Sequence, residues 1–210
     1  MSKLYLGTRE VTPMLPNQGK YSLLQRIKDD SNNEIGTVSG YVIDSNNVEY
    51  AVVCLDASTR GYGQILNTNT EIPTLPTLNN WANIFWGSYK MSGKEITDII
   101  LQFCSDNSYA SSACTLCRAL SYNIDGVTYQ GQTPTAKEVY DILCNRAEIE
   151  AADDTASTYT SNNLSSAKNM LTNAVYVANY ILYFNTGGRM SDGYITQTNF
   201  ICPVLEIPNR

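Results

Sequence analysis

Ser121-Tyr122-Asn123-Ile124-Asp125-Gly126-Val127-Thr128-Tyr129-Gln130-Gly131-Gln132-Thr133-Pro134-Thr135-Ala136-Lys137-Glu138-Val139 reads as a hairpin running straight into a helix. Asp125-Gly126 is the dipeptide that most favours a tight type I′ turn, so strands over 119–124 and 127–130 pair across it. Thr133-Pro134-Thr135 then opens a helix with proline in its first turn, and Val139, Ile142 and Leu143 point one way. A hairpin feeding an amphipathic helix puts the chain in the α+β class.

The flanking sequence repeats the pattern. Ser92 and Glu95 stand at capping-box spacing, and Ile96, Ile99, Ile100, Phe103 and Cys104 follow on one helical face that packs on a sheet. Upstream, Thr37–Ile43 and Glu49–Leu55 read as strands around a turn at residues 44–47, with Val52-Val53-Cys54-Leu55 as an apolar run. Trp81, Phe85, Trp86 and Tyr89 form an aromatic cluster, read as core anchors with a ligand-stacking platform as the alternative. Downstream, a polar loop over 151–173 precedes strands around 174–184 and 193–207, separated by a turn at Gly187-Gly188. Residues 17–36 read as a linker with one short helix or turn. The first 16 residues hold a short apolar strand broken by Gly7 and closed by Pro13 and Pro16. Its Leu4, Tyr5, Leu6, Val11 and Pro13 suit either an edge strand on their own domain or an arm docked on another subunit. The expected division is an arm and linker over 1–36 and a domain over 37–210.

Composition excludes several functions. With a formal charge of -6 and 14 Lys and Arg scattered over 210 residues, no concentrated positive field exists to hold nucleic acid. No apolar run is long enough to cross a bilayer, and the first six residues carry no export signal, so assembly in a cytoplasm is expected. The chain has no histidine, which removes the commonest general base and zinc ligand. Six cysteines are expected as free thiols, and Cys114 with Cys117 lacks a second pair to complete a metal site. Glu138, Glu148, Asp153 and Asp154 read as ordinary solvated acids, so no catalytic residue, cofactor or metal is expected. Glu206-Ile207-Pro208-Asn209 departs from the Glu-Pro-Asn sugar motif by its inserted isoleucine, and no calcium site is expected. Abundant Asn, Ser, Thr and 15 tyrosines suit a display surface. Tyr159, Asn162, Asn163, Asn185 and Arg189 lie in loops that fit either an adaptable contact surface or a plain solvated loop pair.

Four segments carry a resemblance: Trp86-Gly87-Ser88-Tyr89 through Ser92-Gly93-Lys94; Gly131 through Val139; Tyr159-Thr160-Ser161; and Phe200-Ile201-Cys202-Pro203-Val204-Leu205. Over residues 41 to 207 their order resembles bacterial and phage domains of the collagen-like-adhesin C-terminal type. That family has a C-type-lectin-like core related to the sulfatase-modifying-factor fold. The chain departs from it in Gly131-Gln132-Thr133 before Pro134, in the missing tryptophan near Tyr159, and in the missing arginine near Cys202. Leu4-Tyr5-Leu6-Gly7 with Val11-Thr12-Pro13 resembles the opening of structural proteins from tailed phages of Bacteroides-type hosts, the crAss-like group among them. The resemblance implies a C-type-lectin-like domain with two helices on antiparallel hairpins behind an extended arm. It implies a non-enzymatic virion protein: a head or tail fibre or decoration, bound to other capsid or tail proteins through the arm and displaying the domain to a host-surface glycan. A homo-oligomer, with a trimer favoured, would multiply weak single contacts. A purely architectural virion protein and an enzyme on the related fold are the alternatives. The copper-binding oxidase of that fold needs cysteines placed together, and Cys114 with Cys117 does not match.

Overall fold

The computed structural model describes residues 4–6, 9–11, 19–44, 46–75, 91–177, 179–185 and 187–210. The architecture follows from how the apolar run of β5 (Glu49–Leu55) is buried: Val52 and Cys54 enter one hydrophobic cluster, and Ala51, Val53 and Leu55 enter another on the opposite face. A strand covered on both sides has to be a run of apolar residues instead of an alternation. Its sheet has the order β13 (Val204–Pro208), β5, β4 (Glu34–Ile43), β3 (Arg26–Lys28), all antiparallel. A second sheet runs β11 (Met190–Tyr194), β10 (Tyr180–Asn185), β9 (Asn169–Val177), β12 (Asn199–Ile201), β6 (Gly61–Gly63), with β12 parallel to β9 and the other pairs antiparallel. β7 (Ser121–Ile124) and β8 (Val127–Gln130) form a separate hairpin, joined to β13 by a bridge between Gln132 and Val204.

Helix α1 (Gly93–Asn107) and α2 (Ser112–Arg118) lay Ile96, Ile100, Cys104, Cys114 and Cys117 against Leu171, Val175 and Ile181 of the five-stranded sheet. That sheet's other face meets α3 (Ala136–Cys144) and α4 (Arg146–Ala152), where Val139, Ile142 and Ile149 pack with Phe184, Phe200 and Val52. The third cluster lies on the outer face of β5, where Tyr122 and Tyr129 of the β7–β8 hairpin cover Val53, Leu205 and Ile207. The fold is α+β, as the hairpin-into-helix segment implies. The tight turn is as expected: Asp125 and Gly126 both have positive φ, at 54° and 74°. An added Cβ at Gly126 meets no atom within 4 Å, so Gly126→Ala probes backbone strain alone. It should lower stability by about 1 kcal/mol, read as a fall in the denaturant midpoint. An unchanged midpoint would refute the left-handed turn.

Several expectations need correction. Residues 17–36 carry β3 and the start of β4, hydrogen-bonded into the four-stranded sheet, so this stretch is not a linker with a short helix. Residues 4–6 and 9–11 are two strands, β1 (Leu4–Leu6) and β2 (Arg9–Val11), paired as a hairpin with Leu4 opposite Val11 and Tyr5 opposite Glu10. Pro134 sits before the N-cap Thr135 and not in the first turn of α3. The supposed loop 151–173 contains the end of α4, 3-10 turns at Thr160–Asn162 and Leu164–Ser166, and the start of β9; its Leu164 is fully buried. Residues 174–184 belong to two strands, and 193–207 touch three. Beyond the two expected helices, α2 and α4 are present. Trp81, Phe85, Trp86, Tyr89 and Pro13 lie outside the described residues.

Candidate functional site

The N-termini of α1 and α3 converge, and both begin with a capping box. Ser92 Oγ accepts from the Glu95 N–H, and Glu95 returns the bond to the Ser92 N–H at 2.8 Å. In α3, Thr135 Oγ1 accepts from the Glu138 N–H, and the Thr135 N–H donates to Glu138 Oε2 at 2.6 Å. Capping leaves these glutamates bent back over the start of their helices. For Glu138 that position is the protein interior: it has no exposed surface. The expectation of a solvated Glu138 is wrong, because the cap geometry, and not the polarity of the side chain, decides where its carboxyl goes. Asp153 is likewise buried, paired with Arg60.

Glu206 reaches the same point from β13. Leu205 and Ile207 face the third cluster, so strand alternation sends Glu206 to the side of Val204, toward the helices. There Glu206 Oε1 accepts from the Gly93 N–H at 2.9 Å, at the positive end of α1. Glu206 and Glu138 lie close enough for each carboxyl to act on the other's ionisation. A Cβ at Gly93 would lie 2.9 Å from Gln132 Nε2 and 3.2 Å from both Glu138 Oε2 and the Thr133 carbonyl, so any larger residue would push these groups apart. Behind the pair, Thr97 Oγ1 donates to the Gly93 carbonyl and accepts from the Thr133 N–H, and Asn173 Nδ2 donates to the Thr133 carbonyl at 2.7 Å.

Burial pushes the Glu138 carboxyl well above the ordinary range, and the Glu206 charge adds to the shift. Burial raises Glu206 too, but the Gly93 N–H, the Glu138 carboxyl and the Gln132 amide oppose that. Both carboxyls are raised on balance, Glu138 the more strongly, so the pair holds a proton more readily than two free acids and Glu138 is its preferred site. Glu138 Oε2 accepts from the Thr135 N–H, and Oε1 accepts from no donor, which leaves burial of the charged form uncompensated on that side.

Above the pair lies a cleft of about 580 Å³. Its walls come from the β4–β5 turn (Asp44, Asn46, Tyr50), the start of α1 (Ser92, Lys94, Glu95), β8 (Thr128, Tyr129) and β13 (Glu206). The Val48 N–H holds the Asp44 carboxyl below its ordinary range against slight burial, with the Asn46 N–H adding to it, so Asp44 stays charged at the rim. Gln132 also lines the cleft; it is 2 % exposed, and its Nε2 makes no well-aligned hydrogen bond. Carboxylate acceptors and two phenol rings along one cleft suit a ligand carrying hydroxyl groups.

The residues singled out from sequence lie elsewhere. Tyr159 and Arg189 are exposed. Asn162 is half-buried, with Nδ2 donating to the carbonyls of Ala57 and Arg60. Asn163 is half-buried, and Asn185 Oδ1 accepts from the Gly187 and Arg189 N–H groups to hold the β10–β11 turn. Tyr159, Asn162 and Asn163 share one loop, and Asn185 and Arg189 share another. None of them lines the cleft. Glu138 and Glu206 are the residues the sequence reading set aside, the first as a solvated acid and the second as part of a departed sugar motif. Two signals mark them in the sequence: Thr135-x-x-Glu138 has capping-box spacing, and Glu206 interrupts an apolar strand on its inward face. Among the described residues no cluster of three or more acids or cysteines can hold a metal ion, and no helix is long and apolar enough to cross a membrane. No family model, curated protein or solved structure matches the chain.

Proposed function

We propose that the protein is a non-enzymatic binding component of a bacteriophage particle, a fibre or decoration protein whose C-type-lectin-like domain holds an uncharged, hydroxyl-rich host-surface glycan in the cleft. The observation that carries the binding reading is the meeting of the Asp44, Glu95 and Glu206 carboxylates with the Gln130 amide and the Tyr50 and Tyr129 rings along one cleft. Among the described residues that line the cleft, Asp44, Glu95 and Glu206 stand against one cation, Lys94, which is itself paired with Asp98 at 2.7 Å. That balance repels phosphate and sulfate and favours sugar hydroxyls, which donate to carboxylates and accept from an amide. Tyr50 and Tyr129 add apolar ring faces for the C–H side of a sugar. The virion placement rests on the motif resemblance of the termini and core, with the β1–β2 hairpin as the attachment element to capsid or tail proteins. Several copies, a trimer by preference, would raise avidity at a glycan-bearing surface.

The carboxyl pair favours binding over hydrolysis. Glycosidases separate their two carboxyls by roughly 5–9.5 Å to fit the sugar and water between them. Here Glu138 has no exposed surface, so no sugar or water reaches it to sit between two carboxyls.

The test is a glycan-array and calorimetry comparison of the native protein with Tyr129→Ala and Tyr50→Ala. Each substitution should weaken a bound neutral oligosaccharide about tenfold, the effect of about 1.4 kcal/mol. Equal binding by the double variant would sink the cleft as the glycan site. Failure of the native protein to bind any array glycan would remove the glycan reading altogether.

A further inference from the structure

A second buried polar cluster lies at the far end of β5, away from the cleft. Cys54 in β5 pairs with Val204 in β13, and Cys202, two residues before Val204, packs in the same hydrophobic cluster as both. The two sulfurs are 3.1 Å apart, closer than unbonded sulfurs ordinarily pack, and neither residue has exposed surface. Beside them lies the fully buried Arg60, its Nη2 3.8 Å from Cys54 Sγ. The guanidinium is fixed in place: Nε donates to the Leu55 carbonyl at 2.9 Å, and Nη2 pairs with Asp153 at 3.2 Å. Asp153 is held in turn by the Ala57 and Thr155 N–H groups and the Thr155 hydroxyl.

We propose that Cys54 and Cys202 are a redox site that closes to a disulfide bond between β5 and the entry to β13 when a hydroperoxide reaches it. A thiol next to a fixed cation forms its thiolate more readily, and the thiolate is the nucleophile. Burial alone would raise Cys202, but the Cys54 hydrogen bond and the Arg60 charge outweigh it and leave Cys202 below the ordinary thiol range. Cys54 is raised, first by its bond to Cys202 and then by burial. One sulfur of the pair attacks and the other, 3.1 Å away, resolves, and the balance is the same whichever goes first. Burial pushes Cys117 well up and Cys114 up to about 11; Arg118, and for Cys114 also Ser111 and Thr133, oppose this only in part, so their Cys-x-x-Cys spacing does not make them the reactive pair.

The chemistry balances. With Cys202 first, its thiolate attacks one peroxide oxygen, the O–O bond breaks, and hydroxide leaves as water with the proton the thiol had lost. Cys202 is then a sulfenic acid, oxidised by two electrons, and the peroxide is reduced. The Cys54 sulfur attacks Cys202 Sγ, the S–O bond breaks, and the hydroxide departs as a second water with the Cys54 proton. One peroxide and two thiols give one disulfide and two waters. A hydroperoxide of near-water size suits a pair without exposed surface, which a bulky disulfide oxidant reaches only by unfolding. The bond would tie down the strand that carries Glu206, and so link oxidation to the rigidity of the cleft floor.

The test treats the folded protein with stoichiometric hydrogen peroxide, alkylates it in denaturant, and maps the peptides by mass spectrometry. The expected result is a linked Cys54–Cys202 peptide pair, loss of alkylation at those two positions alone among the buried cysteines, and a rise in melting temperature of about 10 °C reversed by reductant. The same linked peptide in protein purified without reductant would support the proposal equally. Cys54→Ala and Cys202→Ala should each abolish the link and the rise. Full alkylation of both residues after peroxide, over-oxidation without a link, or a link through Cys114 or Cys117 would overturn it.

Discussion

Arg60→Met is expected to destabilise the protein by about 3–5 kcal/mol, a large share of the stability of any domain this size. Neither the Arg60 nor the Asp153 side chain has exposed surface, so removing the guanidinium strands a carboxylate in the interior. Its remaining bonds, from the Ala57 and Thr155 N–H groups and the Thr155 hydroxyl, satisfy its oxygens but do not neutralise its charge. The Leu55 carbonyl loses its Nε donor as well. Urea denaturation at pH 7 checks the figure. The double variant Arg60→Met with Asp153→Asn should recover most of the loss, because the stranded charge causes it. A single-variant loss below about 1 kcal/mol would mean that the pair does not act as a buried ion pair.

The second large effect concerns the proton on Glu138. Glu138 has a folded pKa above its unfolded value, so its contribution is complete below the unfolded glutamate range near 4.3 and is lost as pH rises toward the folded value. Glu138→Gln keeps the cap, since glutamine serves at this position, and carries no charge at any pH. The melting temperature of Glu138→Gln minus that of the native protein should therefore grow steadily from pH 4.5 upward. Subtracting the two curves cancels groups such as Asp98, which the Lys94 and Arg118 contacts hold low despite burial. Glu138→Ala removes the cap acceptor, at a cost of about 1–3 kcal/mol. A pH-independent difference curve would show that Glu138 does not hold its proton above the ordinary range.

The local rules read well where one segment contained its own reason. Asp125-Gly126 specifies its turn, and Ser92 with Glu95 specifies the start of α1, because all the atoms involved lie within a few residues. The strands of β4 and β5 are legible for the same reason: the turn between them satisfies itself, with Asp44 Oδ1 accepting from the Asn46 and Val48 N–H groups. Reading failed where an element is short and owes its existence to a distant partner. β3 is three residues long and is a strand only because Arg26 and Ile27 pair with Thr37 and Gly36. Leu164 looks like part of a polar loop until α4 and β9 bring a core to it.

Taken alone, the sequence determined the α+β class, the hairpin at 121–130, the two principal helices and the absence of a histidine-based chemistry, since each depends on residue type and near-neighbour spacing. Only the tertiary structure decided which polar residues matter. Glu138 and Glu206 are 68 positions apart and Cys54 and Cys202 are 148 apart. Each pair meets because β13, near the chain's end, inserts beside β5, and the Gln132–Val204 bridge then draws the start of α3 to the same place. Burial and the field of a neighbour set the charge state of a carboxyl or thiol, and both depend on what the rest of the chain brings alongside.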